Sequence, residues 1–123
     1  MPNTDIVIYQ EKEGDVPLLD WLDNQIIKVQ DKCIERVERL WEHGYELRRP
    51  HADILDDGIY ELRVRHGNVN YRILYAFAGK NVVLLSHGCT KTKTVPKNEI
   101  RKARDNYNAY ILNPEDHTYL GEL

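Results

Sequence analysis

Residues 59–94 read IYELRVRHGNVNYRILYAFAGKNVVLLSHGCTKTKT, and the alternation inside that stretch decides the fold. Tyr60, Leu62 and Val64 alternate with Glu61, Arg63 and Arg65, the period of two that marks a half-buried strand. After Gly67-Asn68 a second run places Tyr71, Ile73, Tyr75 and Phe77 on one face. Gly79-Lys80 leads into VVLLS, an apolar run of strand length. A glycine-led pair between two such runs is a good signal for a two-residue hairpin turn. The stretch therefore reads as three antiparallel strands in a meander.

The register has a chemical consequence. A two-residue turn at Gly67-Asn68 sets Arg63 opposite Arg72, and one at Gly79-Lys80 sets Arg72 opposite His87. Tyr60 then pairs with Tyr75 and Leu62 with Ile73, so the apolar face stays consistent. The other face carries the row Arg63, Arg72, His87, with Arg65 and Asn70 beside it. Like charges directly opposite each other destabilise a sheet. Either an anion sits on the row, or the arginines pair with acids elsewhere or point into water.

These residues also carry a resemblance. The runs YELRVRHGNVNYRILY and LLSHGCTKTKTVPKNEI resemble the phage-derived, HigB-type branch of the RelE/ParE toxin superfamily, the toxins of type II toxin–antitoxin modules. It extends from about Ile6 to Tyr110. The family's basic position after the tyrosine of the first strand falls on Arg63. Its arginine in the second strand falls on Arg72, and its basic cluster after the last strand on Lys91 and Lys93. The sequence departs from the pattern at Glu61, where a basic residue is common, and at Cys89, where an aromatic or aliphatic one is. It also has no tyrosine between Gly88 and Arg104.

Around this centre the 123 residues suit one domain with a modest core. The content is 41% apolar and 30% charged, that of a soluble globular protein. Two cysteines give no disulfide framework, no apolar run reaches membrane length, and the N-terminus lacks a signal-peptide pattern. A reducing cytoplasm is the expected compartment, with no membrane association. The net charge of −3 conceals a separation. Residues 60–104 hold ten Lys and Arg against Glu61 and Glu99, while the remainder hold seven against eighteen acids. Such a chain is polarised, with one side facing anions, unless the two parts interleave in space.

Ile6 to Tyr9 reads as a first strand. Pro17 suits the first turn of a short helix carrying Leu18, Leu19, Trp21, Leu22 and Ile26. A longer helix follows from about Val29, with Cys33, Val37, Leu40 and Trp41 on its apolar stripe and Gly44 as its stop. The two are expected to pair as a helical hairpin over one face of the sheet, with Cys33 a buried small hydrophobe. Residues 45–58 read as irregular. Arg48, Arg49 and His51 are solvated loop residues or an extension of a phosphate-binding surface, and Asp56-Asp57-Gly58 is turn chemistry. Thr94 and Pro96 open a last helix with Ile100, Ala103, Tyr107, Tyr110 and Ile111 on one stripe. Asn113-Pro114 ends it, before a flexible or loosely docked acidic tail. The fold class is α+β: an N-terminal strand, a two-helix hairpin, a three-stranded antiparallel meander and a C-terminal helix. The domain spans 1–112 and the tail 113–123.

Metal-free RNA cleavage needs the 2′-OH deprotonated, the phosphorane charge neutralised and the 5′-oxygen protonated. Arg63 and Arg72 offer forks of donors suited to phosphate oxygens, and His87 titrates near neutral pH. The catalytic candidates are Arg72, His87 and Arg63. The candidate phosphate contacts are Arg65, Lys91, Lys93, Lys97 and Arg101. His87 and Cys89 lack the spacing of a zinc site, so no metal or cofactor is expected. The resemblance implies a toxin endoribonuclease acting on mRNA, in the ribosome, with a cognate helix-turn-helix antitoxin as partner. It leaves two alternatives: a gyrase-inhibiting toxin of the ParE type, and an inactive phage-derived RNA- or protein-binding module.

Overall fold

The computed structural model describes residues 3–91 and 94–123, with Lys91 entering through its backbone alone. The described chain runs β1 (Asp5–Ile8), α1 (Pro17–Asp23), α2 (Ile27–His43), β2 (Ala52–Asp56), β3 (Ile59–His66), β4 (Val69–Phe77), β5 (Val82–Lys91) and α3 (Lys97–Leu112). These strands form one sheet in the order β1-β5-β4-β3-β2, antiparallel except where β1 runs parallel to β5. The fold is α+β, with a five-stranded sheet.

The alternation of β3 and β4 divides the sheet into two cores. Leu62, Val64, Ile73 and Tyr75 face Leu18 and Leu22 of α1 and Val29, Cys33, Val37 and Leu40 of α2. Burial pushes the Cys33 thiol up to about 11, which keeps it protonated at neutral pH. On the opposite face Ile59, Leu74, Ala76 and Cys89 meet Ala103, Ile100 and Tyr107 of α3.

Four expectations from the sequence are corrected. The meander has four strands, because β2 occupies part of the segment read as irregular. A bulge between Ile54 and Asp56 breaks its period and leaves Ile54 exposed, so no alternation was there to read. The two N-terminal helices do not pair as a hairpin: α1 packs on β5 and α2 on β3, each turning its stripe to the sheet. Trp41, expected on the stripe, is 45% exposed. Of the two readings of the tail, docking is the one seen: Tyr119 N–H donates to Ile8 O at 2.9 Å, and Thr118 bridges Tyr9 on the outer edge of β1.

The fourth correction concerns register. The first hairpin is as expected, with Gly67 at φ +62 leading a two-residue turn and Arg63 opposite Arg72. The second loop is three residues long, closed by Ala78 N–H on Val82 O at 2.8 Å. A bulge then slips β5 by one more residue, so that Leu74, not Arg72, stands opposite His87, and Arg72 stands opposite Cys89. The bulge also places Gly88 opposite Ile73, under the indole of Trp21. A Cβ there would stand 2.1 Å from Trp21 Cδ2, and Trp21 Nε1 donates to Thr90 Oγ1 at 3.2 Å. Gly88 is therefore what lets α1 lie on β5.

Gly88→Ala should cost about 1–3 kcal/mol, the range for overpacking a filled core. The measurement is urea unfolding followed by tryptophan fluorescence, which also reports displacement of the Trp21 ring. An unchanged midpoint and spectrum would contradict the packing.

Candidate functional site

β2 stops at Ala52, opposite Leu62, whereas β3 runs on to His66. One further bond, Arg63 N–H to His51 O at 2.8 Å, extends the pairing. Beyond it this side of β3 has no strand beside it among the described residues. An open strand edge exposes carbonyls that need donors. The polar side of α2 supplies them: Arg36 donates to Arg63 O, and Lys32 Nζ donates to Arg65 O at 3.2 Å. The helix thus lies along the edge and brings its cations with it.

Between that helix, the chain before β2 and the β3–β4 hairpin lies a cleft of about 550 Å³. Its described lining includes Arg36, His51, Arg63, Arg65, Asn70 and Arg72. Four guanidinium groups from three elements border one cleft, an arrangement suited to phosphate oxygens.

One carboxylate offsets part of this charge. Glu61 is 3% exposed and lies diagonal to Arg72 across the hairpin, directly opposite Leu74. Arg72 Nε is 2.7 Å from Glu61 Oε1, and Arg63 Nε is 3.3 Å from Oε2. Burial pushes the Glu61 carboxyl above its ordinary range, against the opposing pull of Arg72 and Arg63. Of the two readings of the arginine row, pairing with an acid therefore holds for Arg72, which is 6% exposed. Arg63 is more open, its side chain 38% exposed.

The structure does not bring His87 to these arginines. It lies 2% exposed under α3, with Nε2 2.9 Å from Glu99 Oε1 and Nδ1 2.8 Å from Ser86 Oγ. Asn106 Nδ2 donates to Ser86 Oγ at 2.9 Å. One proton assignment satisfies this chain: Ser86 O–H donates to Nδ1, and Nε2–H donates to Glu99, which leaves a neutral ring with no open lone pair. Burial and Lys102 hold its pKa below the ordinary value, against the pull of Glu99. His87 docks α3 to β5 and borders a different cleft of about 360 Å³, with Glu11, Asp15, Asp20, Glu99 and Lys102.

Lys97 and Arg101 line a third cleft of about 600 Å³ between β2 and α3, with Arg104 and Asp56. Lys91 contributes backbone opposite Asn70, beside the arginine cleft, and Lys93 lies outside the described residues. Arg36 was missed by the sequence reading, because on an amphipathic helix it looks like any solvated cation. For His51 the sequence leaves two readings, a solvated loop residue or part of a phosphate-binding surface, and the structure sets it in the lining of the arginine cleft. No group of three or more His, Cys, Asp and Glu among the described residues could hold a metal ion.

The fold and cleft define a small α+β domain with an arginine-lined cleft beside an open strand edge. The chain belongs to the family described as phage derived protein Gp49-like (DUF891), which matches residues 20–108. That family is a toxin-like one. The match takes in every named residue of the cleft and leaves out β1 and the tail docked on it. No curated protein matches the chain.

Arg72→Ala should destabilise the domain, because it leaves the buried Glu61 with the half-exposed Arg63 alone; the cost should fall below the roughly 3–5 kcal/mol of a buried charge left wholly unpaired. The loss should depend on pH. Glu61 already has a raised pKa in the folded protein, and losing Arg72 raises it further. A raised folded pKa means stability retained at low pH and lost as pH rises through it. The deficit of the variant against the parent should therefore be larger at pH 8 than at pH 5 in urea melts. An equal deficit at both would mean that Glu61 is not the group that loses its partner.

Proposed function

We propose that this chain is the toxin of a type II toxin–antitoxin pair, of the HigB-type branch of the RelE/ParE superfamily. In this reading it is an endoribonuclease that cleaves mRNA on the ribosome without a metal ion. The observation that carries the reading is the convergence of Arg36, Arg63, Arg65 and Arg72 on one cleft. A phosphodiester lying there meets guanidinium donors from several directions. Charge developing on the phosphorane is then stabilised by groups already in place, with no reorganisation at the moment of reaction. Arg72, oriented by Glu61, is the fixed member, and Arg63 and Arg65 are the accessible ones. Lys97 and Arg101, in the separate cleft between β2 and α3, are further proposed contacts for the message or the ribosomal RNA. The partner is a helix-turn-helix antitoxin carrying an acidic segment that competes for the same surface.

Expression in a bacterium without the antitoxin should arrest growth, with truncated mRNAs appearing before any DNA damage response. RNA sequencing alongside a damage reporter checks this. Induced damage with intact messages would replace the nuclease by a gyrase inhibitor, and growth without either change would leave a binding module.

RNA affinity should fall with salt. Neutralising about three phosphates gives a log–log slope near −2 for a single strand. Arg63→Ala with Arg65→Ala should flatten that slope by roughly one and weaken binding alike for all sequences. Fluorescence anisotropy with a labelled oligonucleotide over a salt series measures both. A slope unchanged by the double substitution would place the RNA elsewhere.

A further inference from the structure

The arginine cleft contains one histidine among its described lining residues, and it is not the one that the strand register singled out. His51 is fixed through its backbone on both sides. Its N–H donates to Arg48 O at 3.1 Å, and its carbonyl accepts from Arg63 N–H at 2.8 Å. That clamp sets the imidazole beside Arg63, in the cleft that Arg36, Arg65 and Arg72 also line. Its Nδ1 is buried and has no hydrogen-bond partner among the described residues. A buried polar atom left without a partner is uncommon and costs about 1–3 kcal/mol. A group that pays this in the free protein is a candidate for work done only when a ligand is bound.

Resting on the reading of this cleft as an RNA site, we propose that His51 is the catalytic base, taking the proton from the ribose 2′-OH adjacent to the bound phosphate. In that step the O2′–H bond breaks and the proton passes to a ring nitrogen. The O2′–P bond forms and the P–O5′ bond breaks. The departing 5′ oxygen takes a proton from water, and the hydroxide so formed recovers the proton from the imidazolium. The products are a 2′,3′-cyclic phosphate and a 5′-hydroxyl, and no oxidant, reductant or metal enters the balance.

The surroundings suit a base. Burial, then Arg36 and Arg39 of α2, hold the His51 pKa below its ordinary value, opposed by Glu35 of the same helix. Arg63 and Arg65 of β3 and Arg72 of β4 line the same cleft. The ring is therefore neutral at physiological pH and able to accept a proton. A phosphate among the arginines screens them and restores basicity to the imidazole when substrate is present. His87, although also neutral, has no nitrogen free to accept a proton, since both are engaged within the fold.

The test is cleavage of mRNA on programmed ribosomes by the purified full chain, as a function of pH. For the parent, kcat/KM, which reports the free protein, should climb with pH and level off below about pH 6.5, the ordinary value for histidine. His51→Ala should lose roughly 10²–10⁴ in rate, lose that climb, recover part of the rate with added imidazole, and keep its RNA affinity. A His51→Ala protein that melts with the parent and cleaves with unchanged rate and profile overturns the assignment and leaves the RNA reading standing. A parent that cleaves no RNA overturns the reading itself, and this inference with it. Should the substitution unfold the domain, NMR titration of the parent decides. The His51 ring should titrate at higher pH with a 2′-O-methylated mRNA fragment bound than without it. An unmoved titration removes His51 from the site.

Discussion

The buried Glu61 carboxylate holds this molecule's site together. Two arginines directly opposite each other on a hairpin repel, and one of them, Arg72, is almost fully removed from water. A single acid diagonal to Arg72 and two residues from Arg63 along β3 answers both, at 2.7 and 3.3 Å. It does so at a cost, visible in its own raised pKa. The pair is not there to add stability, since buried ion pairs return little over an apolar replacement. It fixes the direction of the guanidinium, which is what the proposed phosphate site requires.

The two irregularities of the sheet decide what this arginine can work with. The early end of β2 opens the edge of β3, and the carbonyls exposed there draw in Lys32 and Arg36 from α2. The cleft thereby gains Arg36 from an element that shares no pairing with the strands. On the other side the longer loop and the bulge of β5 turn His87 toward Leu74 and α3. One residue of slip would suffice to change the chemistry of the site, because each strand position faces the side opposite to its neighbours.

This explains how much was legible. Period-two alternation in residues 59–77 was enough for β3, β4 and their register, since a two-residue glycine turn leaves no freedom. The same reasoning failed at Gly79, where Lys80 and Asn81 both belong to the loop and nothing local distinguishes two residues from three. β2 was hidden by its bulge and its aspartates. The arginines of the hairpin could be placed because one ladder holds them. Arg36 and His51 could not, since they reach the cleft through tertiary packing of α2 and of the chain before β2. The sequence did mark Glu61 as a departure from the family pattern. Its meaning, a counter-ion rather than a missing cation, needed the diagonal geometry.

Charge in this molecule is sorted by position along the sheet. Toward β2 lies the arginine cleft at the edge of β3; toward β1, at the start of α1 and along β5, lie Glu11, Asp15, Asp20 and Glu99. A chain of net charge −3 is repelled weakly by a polyanion at distances where only the net charge is felt. Within about 8 Å, the screening length at physiological salt, the separated clefts dominate instead. The acidic side is pushed away and the arginine edge is drawn in, so the encounter is oriented before contact is made. Net composition alone would have argued against a nucleic-acid partner. The ordering of the strands, which carries opposite charges to opposite sides of one sheet, is what makes the proposed RNA partner compatible with that composition.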